Sequence, residues 1–178
     1  MKLILETERL LLREMRHDDA ASLFEMDANT NVHKYLWNKP TASIDEINES
    51  INLVRKQYET NNIGRFVMIL KNTNKLIGWA GLKFNTIEVN NRNHFYDIGY
   101  RLNENYWGKG YASEASFAWL DYGFNTMGIL MMNASAHSQN IASNKILQKI
   151  GMIECEKYLE DGILWNWYEA KNRNILVK

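Results

Sequence analysis

The chain has 178 residues, 46% of them hydrophobic and 24% charged, which fits one globular domain over 1–178 and excludes disorder, collagen and a disulfide scaffold. Its 21 Lys+Arg match its 21 Asp+Glu, so a nucleic-acid partner, which rewards excess positive charge, is not expected. The one cysteine, Cys155, excludes an internal disulfide and a multi-cysteine zinc site.

From the N-terminus, the apolar run up to Met15 is broken by Glu6, Glu8 and Arg9, so neither a signal peptide nor a membrane span is expected. A cytoplasmic location is the default expectation. Residues 8–15 read as a strand. A short helix follows over AASLFEMDA, with Asp18 placed to cap it. Ser43 and Glu46 have capping-box spacing and open a long helix, with Ile44, Ile47, Ile51 and Val54 on one face, that ends near Asn61–Asn62. RFVMILK and KLIGWAGLKF, joined at Asn72-Thr73-Asn74, read as a hairpin. A polar loop spans 85–93, and HFYDIGYRL is the next strand. Its internal Gly99 marks a bulge or a close backbone approach. Then come a helix over 112–126 with Ala115, Ala118, Trp119 and Tyr122 inward, a strand over 129–136, and a helix over 140–150 stopped by Gly151. Two strands, 152–159 and 163–170, close the chain around Glu160-Asp161-Gly162. Seven strands and four helices in this order predict an α/β chain with a mixed sheet and helices on both faces.

The segment with the strongest chemical content is NENYWGKGYASEA, 103–115. It joins a strand to a helix. Gly108 and Gly110 flank Lys109, where glycine lets main chain approach a ligand and the following turn offers unpaired N–H groups at a positive helix end. That suits a phosphate or pyrophosphate. The spacing matches neither G-x-x-x-x-G-K-[ST] nor G-x-G-x-x-G, and by itself it also reads as an ordinary flexible helix entry. A second cluster follows in HSQNIASNKILQKIGM: Asn140 can cap its helix, and Ser143 lies one turn on.

Five collinear segments, LETERLLLRE, LIGWAGL, DIGYRL, YWGKGYASEA and NIASNKILQKIGM, resemble the GNAT family of acetyl-CoA-dependent N-acetyltransferases, and within it the RimJ/RimL-like branch that acetylates protein N-termini. The resemblance implies a mostly antiparallel twisted sheet splayed between the fourth and fifth strands. It implies that the pyrophosphate of acetyl-CoA rests on amides of Gly108, Lys109, Gly110, Tyr111, Ala112 and Ser113, with Trp107 standing where the family carries Gln or Arg. Backbone groups of Tyr100 and Leu102 would pair with the pantetheine arm, and Asn140 would contact the cosubstrate.

The implied reaction is direct attack of a primary amine on the thioester, with no metal. Leu147 stands where many members carry a tyrosine donor. The branch uses a serine instead, which matches Ser143, read as a hydrogen-bond donor to sulfur; an ordinary helix serine is the other reading. Asp97 matches an acidic position of the fourth strand and is the candidate base, its alternative being a solvated strand carboxylate. The best acceptor is a protein α-amine. Alternatives are a small amine such as a polyamine, amino acid or antibiotic, or a non-catalytic acyl-CoA-binding module. The family often pairs, so a homodimer is also implied. Tyr35 and Trp37 fall where the family borders its acceptor pocket. His17, His33, His94 and His137 lack metal spacing and read as surface or loop residues. Cys155 reads as a buried small residue, and Glu154, Glu156 and Glu160 as a solvent face.

Overall fold

The computed structural model describes residues 4–172; 1–3 and 173–178, the ends of the expected domain, lie outside the described residues. Eight strands form one sheet in the order β1-β2-β3-β4-β5-β6-β8-β7. They are β1 (Ile4–Glu6), β2 (Leu10–Glu14), β3 (Arg65–Leu70), β4 (Lys75–Asn85), β5 (Phe95–Leu102), β6 (Met131–His137), β7 (Ile153–Glu160) and β8 (Ile163–Lys171). The helices are α1 (Ala20–Asp27), α2 (Thr30–His33), α3 (Ile44–Asn61), α4 (Tyr111–Asp121) and α5 (Ile141–Lys149).

The expectation of seven strands and four helices falls short by one of each. The first strand is two, because the Thr7 N–H donates to the Leu10 carbonyl at 2.9 Å and β1 folds back antiparallel on β2. The extra helix, α2, is a single turn whose cap is Asn29, Oδ1 accepting from the Asn31 amide at 2.8 Å. Asp18 does not cap α1. Residues 17–19 form a 3-10 turn, and Asp19 instead pairs bidentately with Arg13 at 2.7 and 2.8 Å.

The unbroken apolar run of β3 needs cover on both faces. Phe66 and Met68 pack in the cluster that holds Ala115 and Trp119 of α4 and Leu147 of α5. Val67 and Ile69 pack with Leu23 and Met26 of α1 and Ile47 and Ile51 of α3. Helices therefore cover both faces. Ile44 is the exception on its helix face, 44% exposed in the first turn. No helix among the described residues is long and apolar enough to cross a membrane.

Every strand pair is antiparallel except β5 and β6, which are parallel and therefore need a crossover, supplied by α4. They pair only at Tyr96↔Met132 and Asp97↔Asn133. Gly99 is not a bulge: the β4–β5 register runs unbroken through Gly81↔Gly99. Its lack of a side chain makes room for Arg65, since a Cβ there would lie 2.7 Å from Nη2.

Candidate active site

Beyond Asp97, β5 keeps β4 on one edge and has no paired strand on the other, because β6 turns toward β8. This leaves a strand edge open along Ile98–Leu102, with main-chain groups that can pair with an extended ligand. A cleft of about 1160 Å³ runs through the split.

At one end of the cleft the protein presents backbone. Gly108 and Gly110 adopt φ of 72° and 82°, which side-chain-bearing residues adopt only at a cost. A Cβ on Gly108 would meet nothing within 4 Å, so conformation, not crowding, calls for glycine there. Gly110 is the N-cap of α4 and brings no capping side chain. The amides of Tyr111, Ala112 and Ser113 thus open the helix at its positive end, where an anion is favoured. Lys109 contributes only main chain: its Nζ donates to the Asn105 carbonyl at 2.9 Å, and it does not line the cleft. The Trp107 indole donates to the Leu102 carbonyl at 2.9 Å, which fastens the loop to the end of β5.

The same corner is braced from β2. Arg9 Nη1 donates to the Lys109 carbonyl at 3.0 Å and Nε to Glu114 at 2.6 Å, while the Arg9 amide and the Thr7 hydroxyl reach the same carboxylate at 2.9 and 2.5 Å. Against the push of burial, these bonds from Thr7 and Arg9 hold the Glu114 carboxyl below its ordinary range. Sequence reasoning quoted these residues without assigning them a role. The signal lay in the pairing of Thr7-Glu8-Arg9 with the glutamate four residues past Gly110.

In the middle of the cleft, Asn140 Oδ1 caps α5 by accepting from the Ser143 amide at 3.1 Å, as its position predicts. The Tyr100 hydroxyl lies 3.0 Å from Ser143 Oγ and 3.1 Å from the Ser143 carbonyl. Tyr100 therefore brings a side chain as well as a strand edge to the site. Burial raises its phenol well above the ordinary value, against the Ser143 hydrogen bond, so it stays protonated. Leu147, one turn on, is buried in the core.

Asp97 sits where the strands part and is not a freely solvated carboxylate. Arg65 Nη2 donates to its Oδ2, and Arg65 Nη1 donates to its backbone oxygen at 2.9 Å. Burial pushes the carboxyl up, against the pull of Arg65 and Lys83. Lys83 faces it across the β4–β5 ladder. Burial, with Arg65 next, holds that ammonium below the ordinary lysine value.

The other end of the cleft is made of side chains from distant segments. Tyr35 and Trp37 line it, as do His137, Glu160 and Trp165. Their segment is tied down at its start: Asn29 and Asn31 donate to Glu104 at 2.8 and 2.9 Å, and Arg101 reaches Asp27 at 2.8 Å. Two histidines differ from expectation. His33 is buried, with Nε2 3.3 Å from Asp27, and His137 is packed 5.2 Å from the Tyr35 ring. Cys155 is exposed rather than buried, at the irregularity between Glu154 and Glu156 that breaks their alternation. Glu160 lines the cleft instead of a plain solvent face.

Residues 9–153 match the Acetyltransferase (GNAT) domain family. The uncharacterized N-acetyltransferase p20 of Bacillus licheniformis is 33% identical over 173 residues, 97% of this chain and 92% of that one. A GNAT-family acetyltransferase structure from Bacillus anthracis superposes with a TM-score of 0.81 at 25% identity, covering 96% and 99% of the two chains. Two others share the fold. The spermidine N-acetyltransferase of Vibrio cholerae, in complex with CoA and spermine, has a TM-score of 0.77 at 21% identity, covering 96% and 99%. The ribosomal-protein-S5-alanine acetyltransferase of Vibrio fischeri has 0.75 at 21%, covering 97% and 98%.

Proposed function

We propose, from the premise that this chain belongs to the GNAT acetyltransferase family and is an acetyl-CoA-dependent N-acetyltransferase, that it acetylates a protein N-terminal α-amine, as the RimJ/RimL-like branch does. The observation that carries the reading is the split between β5 and β6, with an uncapped glycine corner at one end and a side-chain pocket at the other. The amides of Gly108 to Ser113 hold the pyrophosphate, and the β5 edge at Tyr100 and Leu102, where the Trp107 indole already takes one bond to the Leu102 carbonyl, pairs with the pantetheine arm. Asn140 borders the same groove.

In the reaction the amine nitrogen bonds to the acetyl carbon, the C–S bond breaks, and the proton lost by nitrogen passes to Asp97. Arg65 occupies Oδ2 of that carboxyl, so Oδ1 is the oxygen that receives it. Ser143 meets the departing thiolate. A phenol has one proton to give. Given to the Ser143 carbonyl, it leaves the serine hydroxyl to donate back to Tyr100. Given to Ser143 Oγ, it frees the serine proton for sulfur. Tyr100 thus acts as a positioning residue that sets the direction of the Ser143 hydroxyl. An α-amine suits this modest base, because about a tenth of it is already neutral at pH 7.

Charge supports a peptide over a polyamine. Apart from the α5 lysines, the cleft is lined by four basic residues (Lys34, Arg65, Lys83, Arg101) and three acidic ones (Asp97, Glu104, Glu160). A polycation calls for an excess of carboxylates. The test is thiol release from acetyl-CoA with a panel of peptides, polyamines and amino acids. Release with peptides carrying a free N-terminus, and none after N-terminal blocking, supports the reading. Release with spermidine alone overturns the acceptor assignment, and tight CoA binding without turnover on any amine leaves only a binding module.

A further inference from the structure

The acceptor end of the cleft holds four rings that the reaction chemistry does not use. Tyr35 lies 5.2 Å from His137, His137 5.8 Å from Trp165, and Trp165 5.1 Å from Trp37, all tilted or edge-on. These are the offset geometries in which aromatic surfaces attract. The set is not ordinary core. Trp37 is 49% exposed and holds φ at 54°, a conformation strained for a bulky side chain. Its segment is anchored at its start by the bonds to Glu104, so the strained residue stands at the mouth of the cleft.

One N–H group in this box lacks an acceptor among the described residues. Trp165 is 5% exposed, and its Nε1 is buried with no partner among the described residues. A buried donor left unpaired is costly and calls for an acceptor. At His137 the Gln139 amide donates to Nδ1 at 3.0 Å. Apolar walls with an orphan donor do not fit a polycation, which brings donors of its own. They fit a group that pairs apolar surface with a carbonyl oxygen.

We infer that the box of Tyr35, Trp37, His137 and Trp165 is the specificity pocket of the acceptor site, taking an N-terminal residue with an apolar or aromatic side chain and giving the Trp165 N–H to its first carbonyl. The inference rests on the α-amine reading and narrows it to a class of first residue.

The experiment compares kcat/KM for tripeptides headed by Phe, Leu, Ala and Asp, and for phenethylamine, which has the ring and the amine but no carbonyl. In the unmodified enzyme, Phe and Leu peptides exceed the Asp peptide by about 100-fold, within the range that an apolar pocket delivers. With kcat/KM referred to the neutral form of each amine, because an alkylamine is far less neutral than an α-amine at pH 7, the Phe peptide exceeds phenethylamine by about tenfold, the worth of one hydrogen bond. Trp165→Phe keeps a ring and removes the N–H, and it brings the Phe-peptide to phenethylamine ratio close to one, through KM. Trp37→Ala, at a half-exposed position that does not endanger folding, flattens the Phe over Asp preference. Peptides acetylated without regard to their first residue, or a ratio that Trp165→Phe leaves unmoved, overturn the inference while the α-amine reading stands. Turnover of phenethylamine and of no peptide overturns the α-amine reading while the aromatic pocket stands.

Discussion

The two ends of the cleft are built from different material. At the glycine corner, main chain makes the site. Gly108 and Gly110 set the path, α4 supplies its first amides, and side chains serve as braces, with Arg9 and Trp107 holding the loop from outside. At the proposed acceptor end the backbone of His137 and Trp165 is already committed to β6 and β8, Tyr35 and Trp37 reach in from a turn, and side chains face the cleft. A main-chain site recognises what every member of a class shares, such as a diphosphate. A side-chain site can change its preference one residue at a time. Ser143 and Tyr100 stand at the junction, and substitutions there have the largest expected effect.

Ser143→Ala is expected to lower kcat about 100-fold, in line with removing one donor to developing charge, with the KM for acetyl-CoA nearly unchanged. Tyr100→Phe keeps the ring and the strand edge, and is expected to lower kcat about tenfold. If the phenol works by aiming the serine hydroxyl, the double variant is no slower than Ser143→Ala alone, because the interaction is already gone. Losses that multiply instead would give Tyr100 an independent role. A Ser143→Ala enzyme of full activity would remove serine from the reaction. Stopped-flow thiol release separates these outcomes.

The main-chain end breaks differently. Gly110→Ala forces a Cβ into a left-handed conformation that costs roughly 1–2 kcal/mol. Neighbours contribute little, since the nearest atom is Arg9 Nη2 at 3.4 Å. The expected result is an increase of about tenfold in the Kd for CoA, read by titration calorimetry. Gly110→Asn tolerates that conformation better and is expected to lose less. Equal losses for the two would mean that space, not φ, demands the glycine.

This difference in material also explains what could be read from the sequence. Paired glycines before a helix are a local pattern, so the corner at 107–113 and the cap at Asn140 are visible within a few residues. The long strands and α3 follow from local periodicity in the same way. The acceptor end joins residues 35 and 37 to 137 and 165, and no local pattern records that meeting. Asp97 illustrates the same limit. Its place on the strand is legible, but its ion pair with Arg65 depends on the glycine at 99, whose vacancy admits the guanidinium across two strands. His137 and Glu160 were misplaced for this reason, since alternation along one strand does not say which stretch of it borders a split sheet. Cys155 was misplaced because an irregularity shifts the β7 register at that point.

The brace from β2 offers a smaller test of the corner. Arg9 is 41% exposed at its side chain, so its charge is partly screened and its ion pair is worth little by itself. Its removal nonetheless leaves the Glu114 carboxylate unneutralised in the first turn of α4, beside the proposed pyrophosphate site. Arg9→Ala is expected to raise the KM for acetyl-CoA about threefold, more at low salt than at high. Adding Glu114→Gln is expected to recover most of that loss. Failure to recover would show that Arg9 acts through its bond to the Lys109 carbonyl alone.

The smallest effect lies in the pH dependence of stability, and it compares a cleft tyrosine with a core one. Burial raises the phenols of both Tyr100 and Tyr58 above the ordinary range. In the unfolded chain each titrates near pH 10. Below that pH both states carry the proton and stability does not change. Above it the unfolded chain binds fewer protons than the folded one, so stability falls as pH rises and goes on falling until the folded phenols ionise. These two phenols therefore leave the melting temperature level through about pH 9.5 and lower it beyond that, while Lys83, held below its ordinary value, works in the opposite direction as it loses its proton. Tyr100→Phe and Tyr58→Phe each make that drop shallower. Tyr58→Phe also lowers the level portion, because its hydroxyl accepts from the Met15 amide at 3.0 Å and donates to the Arg65 carbonyl. Tyr100→Phe touches only Ser143 and lowers it less. Activity toward an α-amine passes its midpoint near pH 8, where half of the amine is neutral, so the two pH effects are centred about two units apart. An alkaline slope that Tyr100→Phe leaves as steep as before would mean that the cleft phenol ionises as it does in water, and with that its part in aiming the serine proton would be lost.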